Sequence, residues 1–193
     1  PYNVLCQEQG RRLATYALFD ERQNFNRQDF ATKVEALLKK QSSLLILLNT
    51  PAHNPTGYSF SEEDWGEVLD VCKTQLKKGD KKISILVDIA YIDYAGEKNE
   101  VRRFMKQFEN LPPELFVMFA FSMSKGYTMY GQRTGAIVGL SAHKEIVEEF
   151  KTVSSFSSRG TWSNINRGAM AALAKIYRDA ALRAQFEKER ESL

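Results

Sequence analysis

Little in this sequence suits covalent cross-links, metal cages or membranes. Its 193 residues hold two cysteines, Cys6 and Cys72, far apart and without a C-x-x-C partner. They cannot build a disulfide framework, and a reducing compartment is the expectation. Only two histidines are present, His53 and His143, so no metal centre is expected. Apolar runs such as Leu44 to Leu48 are far too short to cross a bilayer. Charge of one sign is also scarce: 27 basic residues are interspersed with 24 acidic ones, for a net charge of +3. No basic arm for nucleic acid stands out. No charged-then-apolar segment opens the sequence, and a cytoplasmic protein is expected. The opening Pro-Tyr-Asn-Val reads as the middle of something, so a longer subunit is expected.

What is present suits a globular fold. Hydrophobic residues make up 43% and aromatics 11%, enough for a buried core and too many for disorder. Strand and helix signals alternate. Leu13 to Phe19 is an apolar strand candidate. Asn26 and Asp29 resemble a capping box, with Phe25 and Phe30 as its hydrophobic staple. Phe30, Val34, Leu37 and Leu38 then fall on one helical face. Leu44 to Leu48 reads as a strand buried on both sides. Ser61 and Asp64 repeat the cap, with Phe60 and Trp65 as staple, and Val68, Leu69, Cys72 and Leu76 continue that face. Further strands are predicted at Ile83–Val87, Leu115–Phe121 and Gly135–Leu140. A helical stretch is predicted near Val101–Phe108, and two helices at Lys144–Val153 and Asn166–Glu189. This alternation predicts an α/β fold, a three-layer α/β/α arrangement with a mostly parallel sheet. In such sheets ligands bind beyond the carboxyl ends of the strands.

Chemically able residues stand at those ends. Asn49 to Gly57 follows one strand and contains Asn54. Asp88 and Tyr91 follow the next. Ser122, Ser124 and Lys125 follow the third, with Arg133 soon after. Each alone has a plain structural use as turn, cap or solvated charge. Together they suit pyridoxal 5′-phosphate. That cofactor needs a lysine amine for its aldehyde and an acid beside its ring nitrogen. It needs donors to its ring phenolate, and hydroxyls with a guanidinium for its phosphate.

The stretches PAHNPTG (51–57), DIAY (88–91), SMSK (122–125) and GQRTG (131–135) resemble, in order and separation, the class I and II aminotransferases. These are fold type I pyridoxal-phosphate enzymes related to aspartate and aromatic aminotransferases. The resemblance implies that residues 1–193 form part of the large cofactor-binding domain, with an N-terminal part and a small C-terminal domain absent. It implies that Lys125 attaches the cofactor and then shuttles the substrate's α-proton. Asp88 would pair with the ring nitrogen, and Asn54 and Tyr91 would bond the phenolate oxygen. Ser122 and Arg133 would hold the phosphate. Ser124 matches a position that is often serine, although a tight strand-to-loop turn at Ser124 and Gly126 serves equally well as its reason.

Arg159, before Ser163-Asn164, resembles an arginine that in aspartate aminotransferases reaches the neighbouring subunit's site and binds the distal carboxylate of a substrate. Ile165-Asn166 stands where proline is common there, and a surface arginine in a polar loop is the competing reading. The implied partners are an amino acid, a 2-oxo acid and a second copy of the chain. Amino-group transfer is the leading function. A lyase or decarboxylase on the same fold, or a cofactor-binding sensor domain, remains open. Neither a substrate α-carboxylate arginine nor a ring-stacking aromatic has a match, so these residues alone are expected to turn over negligibly.

Overall fold

A computed structural model describes residues 2–192, so Pro1 and Leu193, the ends of the expected domain, lie outside the described residues. The chain divides into two compact units. One comprises the residues up to Leu44 together with Phe60–Ile83. The other comprises Leu45–Ser59 and the residues from Ser84 onward.

The first unit carries helices α1 (Tyr2–Glu8), α2 (Arg27–Leu38) and α3 (Glu62–Leu76). The side-chain oxygen of Asn26 accepts the Asp29 N–H at 3.0 Å, as an N-cap should. The reciprocal half of that box is missing, because the Asp29 carboxylate accepts from Ala17 N–H at 2.7 Å instead. At Ser61 the box is complete, with Asp64 N–H to Ser61 Oγ at 3.1 Å and Ser61 N–H to Asp64 Oδ2 at 2.8 Å. Both staples pack, with ring centroids 5.7 Å apart for Phe25–Phe30 and 5.3 Å for Phe60–Trp65. Phe30, Val34 and Leu38 of α2 and Trp65, Val68, Leu69 and Cys72 of α3 are buried as expected, Leu37 and Leu76 are only partly buried, and Asp64, Val71 and Gln75 join the buried residues of α3. Leu13–Phe19 is not a strand: only Phe19 forms an isolated bridge, to Phe25. Tyr16 instead packs edge-on against Phe25 and Phe30.

The second unit is built on a four-stranded sheet in the order β1 (Ser43–Asn49), β2 (Lys82–Asp88), β3 (Leu115–Ser122), β4 (Gly135–Leu140). The α/β class holds, and the sheet is mixed. β4 runs antiparallel to β3, from Ser122↔Gly135 to Val117↔Leu140. Buried side chains alternate along the first three strands, and Leu45 is 56% exposed. Leu44 to Leu48 is therefore fully buried on one face only. Gly135 lies against the Phe121 carbonyl, and a methyl at Gly139 would meet Phe150 at 2.8 Å and Phe116 at 2.9 Å. These two glycines serve close approach.

Two helix boundaries differ from expectation. The helix from Lys144 continues to Trp162 as α5, and Asp179 divides the last one into α6 (Arg167–Arg178) and α7 (Ala180–Arg190). Tyr127, after β3, stacks on Phe186 of α7 with centroids 5.2 Å apart. Among the described residues no helix is long and apolar enough to cross a membrane.

Candidate functional site

All seven residues expected to touch the cofactor fall in the second unit, at one end of its sheet. Two backbone bonds set that end. Thr50 N–H donates to the Asp88 carbonyl at 3.2 Å, and Ile89 N–H to the Ala120 carbonyl at 3.0 Å. The carboxyl ends of β1, β2 and β3 are thus side by side.

The loop after β1 is fixed by the Asn49 side chain. Its amide donates to the Asp88 carbonyl at 3.2 Å, and its oxygen accepts Asn54 N–H at 2.8 Å. Gly57, at φ +74°, lets the loop close with its N–H on the His53 carbonyl at 2.6 Å. The Asn54 amide then reaches Tyr91 Oη at 3.3 Å. Asp88, half-buried at the end of β2, accepts Ala90 N–H at 3.1 Å. Tyr91 begins the 3₁₀ turn Ile92–Tyr94.

Lys125 lies on α4 (Met123–Gly126), the short helix that leaves β3. Ser122 caps it, its Oγ accepting Ser124 N–H at 3.1 Å. The Lys125 ammonium sits 5.4 Å from the Tyr91 ring centre and 5.0 Å from that of Tyr130, both within cation–π range. The Arg133 guanidinium lies 5.0 Å from the same Tyr130 ring. Arg133 Nη1 also donates to Ser124 Oγ at 3.3 Å and to the Tyr130 carbonyl at 2.9 Å. Asn54, Tyr91, Lys125, Arg133, Ser124 and Ser122 therefore form one connected set, and Asp88 joins it through Asn49 and the strand pairing. Tyr130 completes the set and lies outside all four sequence motifs. Its one signal is an aromatic residue standing between two cations in the sequence.

Arg159 is placed elsewhere. It occupies the last turn of α5 rather than a polar loop, and its Nη1 bonds the Ser163 carbonyl at 3.2 Å and Ser163 Oγ at 3.0 Å. His53 Nδ1 pairs with Thr56 Oγ1 at 2.8 Å within its loop, and burial pushes its pKa down. Burial drives the Cys72 thiol up to about 12, which makes it a poor nucleophile at neutral pH. Among the described residues no group of three or more His, Cys, Asp or Glu could hold a metal ion.

The arrangement offers one amine between aromatic faces, one carboxylate, an amide–phenol pair, and hydroxyls beside a guanidinium. That donor set fits a ligand bearing an aldehyde, a basic ring nitrogen, a phenolate and a phosphate.

Comparisons with known proteins agree with this chemistry. A family model described as aminotransferase class I and II matches residues 1–193. An aromatic-amino-acid aminotransferase of Pseudomonas aeruginosa is 27% identical over 168 residues, 87% of this chain and 40% of the relative. An aspartate aminotransferase of Escherichia coli is 28% identical over 180 residues, 93% of this chain and 43% of the relative. A crystal structure of an aminotransferase from Anaerococcus prevotii superposes with a TM-score of 0.96 at 39% identity, over 100% of this chain and 47% of that one. An aromatic-amino-acid aminotransferase from Burkholderia pseudomallei, covalently bound to pyridoxal phosphate, shares the fold with a TM-score of 0.80 at 23% identity. It is covered over 98% of this chain and 45% of that one. The chain thus spans somewhat less than half the length of these relatives.

Proposed function

The chain belongs to the class I and II aminotransferases, and on that premise we propose that the subunit containing it is a pyridoxal-phosphate-dependent aminotransferase. It moves an amino group from an amino acid, of aspartate or aromatic type, to a 2-oxo acid. Residues 1–193 are the part of its large domain that holds the cofactor. The carrying observation is the convergence of Lys125, Asp88, the Asn54–Tyr91 pair and the Ser124–Arg133 pair at the carboxyl ends of adjacent strands.

Bound there, the cofactor would supply an aldehyde that captures amino groups and an electron-poor ring that acidifies the substrate α-hydrogen. Lys125 Nζ would hold the aldehyde carbon and would carry the proton lost from the substrate α-carbon. Asp88 would stand beside the ring nitrogen, where its negative charge would favour the protonated ring. Asn54 and Tyr91 donate to the phenolate oxygen. Arg133, with Ser122 and Ser124, binds the phosphate. Tyr130 offers its ring face to both the Lys125 and Arg133 cations.

The subunit is proposed to act as a cytoplasmic homodimer, with Arg159 available to the partner's substrate. The test is the visible absorbance of the full-length protein with added pyridoxal phosphate. A visible band is expected, lost in Lys125→Ala; an unchanged band in that variant refutes the lysine assignment. Screening amino donors against 2-oxo acids then distinguishes amino transfer from lyase or decarboxylase chemistry.

A further inference from the structure

A lysine side chain has a flexible four-carbon stem, so its amine reaches a single place only if both ends are held. The ammonium end of Lys125 lies by the Tyr91 ring at 5.4 Å. The backbone end is held by Tyr94, whose hydroxyl donates to the Lys125 carbonyl at 2.9 Å. Tyr91 and Tyr94 are three residues apart across one 3₁₀ turn, the spacing that puts two side chains on the same side. Their ring centroids are 6.5 Å apart. None of the cofactor contacts proposed above uses Tyr94.

Between them in sequence, Asp93 anchors the turn. Its side chain is only 6% exposed and takes Arg102 at 2.8 Å and Arg190 at 3.5 Å. Its carboxylate also lies where a side chain on Gly126, the residue after Lys125, would have to go. The turn continues directly from Asp88 through the Ile92 N–H to Ile89 carbonyl bond at 3.1 Å. The acid for the ring nitrogen and the grip on the lysine therefore belong to one short segment.

We propose that the 91–94 turn is a positioning element for Lys125, in which Tyr94 holds the lysine's backbone, Tyr91 its amine, and the Asp93–Arg102–Arg190 cluster fixes the turn. This rests on the reading of Lys125 as the cofactor-attaching lysine. Tyr94 is a positioning residue and touches no reacting atom.

Tyr94 is 48% exposed, so Tyr94→Phe removes one hydroxyl without opening a cavity. The full-length apoprotein is mixed with pyridoxal phosphate, quenched with borohydride at timed intervals, and mapped by peptide mass spectrometry. Label on Lys125 is scored against label on the surface lysines of the same sample. Tyr94→Phe is expected to slow labelling of Lys125 about five-fold, the factor one ordinary hydrogen bond is worth, while the surface lysines label as before. The induced circular dichroism of the visible band, per unit absorbance, is expected to fall because the amine is less well oriented. Labelling and dichroism equal to those of the unaltered protein overturn the proposal and leave the cofactor reading intact. Absence of selective Lys125 labelling in the unaltered protein overturns the cofactor reading itself, and the proposal with it.

Discussion

The contact between Gly126 and Asp93 allows a test in which the size of one effect should depend on a second side chain. Gly126 closes α4 with ordinary backbone, so alanine fits there conformationally and gains up to about 1 kcal/mol of helix propensity. Its methyl, however, would run into the Asp93 carboxylate and stand 3.1 Å from Cγ. That carboxylate cannot turn away without leaving Arg102, to which it is bonded at 2.8 Å. Overpacking of this kind costs about 1–3 kcal/mol. Subtracting the full propensity gain leaves a net loss of up to about 2 kcal/mol for Gly126→Ala. In an Asp93→Ala background the carboxylate is gone and only the Cβ of residue 93, 3.3 Å away, still crowds the methyl, so the same change should cost clearly less and approach neutrality. Urea unfolding of the full-length protein at pH 7 reads both, as midpoint shifts at constant slope. Equal losses in the two backgrounds, or a gain in the native one, would refute the steric reasoning.

Ser61→Ala should cost about 1 kcal/mol of stability, the usual worth of an N-cap, and the Ser61→Ala/Asp64→Ala pair less than the sum because each cap bond serves the same helix end; urea melts check it. Tyr130→Leu removes one ring from two cations and should weaken pyridoxal-phosphate binding about three- to ten-fold, measured by titrating the visible band. An unchanged affinity would make Tyr130 a bystander. Cys72 should react with a thiol reagent only on unfolding, whereas half-buried Cys6 reacts in the native state. Because burial raises the Cys72 thiol from 9.0 to about 12, its stabilising contribution is complete below pH 9. It fades as pH rises towards 12, by up to about 1.4 kcal/mol per pH unit, which unfolding curves across that range would record.

The caps and staples were legible because their chemistry is local: Asn26, Ser61 and the paired aromatics act within one turn of chain. The candidate site residues were legible as ordered motifs at strand ends, and the fold gathers them at one end of the sheet. Features set by distant contacts were not. Leu13–Phe19 has the apolar content of a strand, but its strand-like pairing is confined to the Phe19–Phe25 bridge, and Asp29 takes the Ala17 N–H. The serines and threonines after Val153 look like helix breakers. Instead, Thr161 Oγ1 bonds the Ser157 carbonyl at 2.8 Å, and earlier Thr152 Oγ1 that of Glu148 at 2.9 Å, so hydroxyls are absorbed by the helix itself. Asp179 could have been read as a cap. Its Oδ1 accepts Ala181 and Leu182 N–H at 3.0 and 3.1 Å and starts a new helix. Tyr130 belongs to no motif, and only the fold shows that it meets both cations.

The two backbone bonds that align the ends of β1, β2 and β3 make the spacing of amide, acid and lysine a property of strand register. Side-chain substitutions along the strands can accumulate without moving those three groups relative to one another. Losing a single residue from one strand is different. It would draw one group back by about 3.3 Å while the other two stay in place. Across descendants of this sequence, the strands leading to the site should therefore vary in composition and hold their length, while insertions collect in the helices and outer loops.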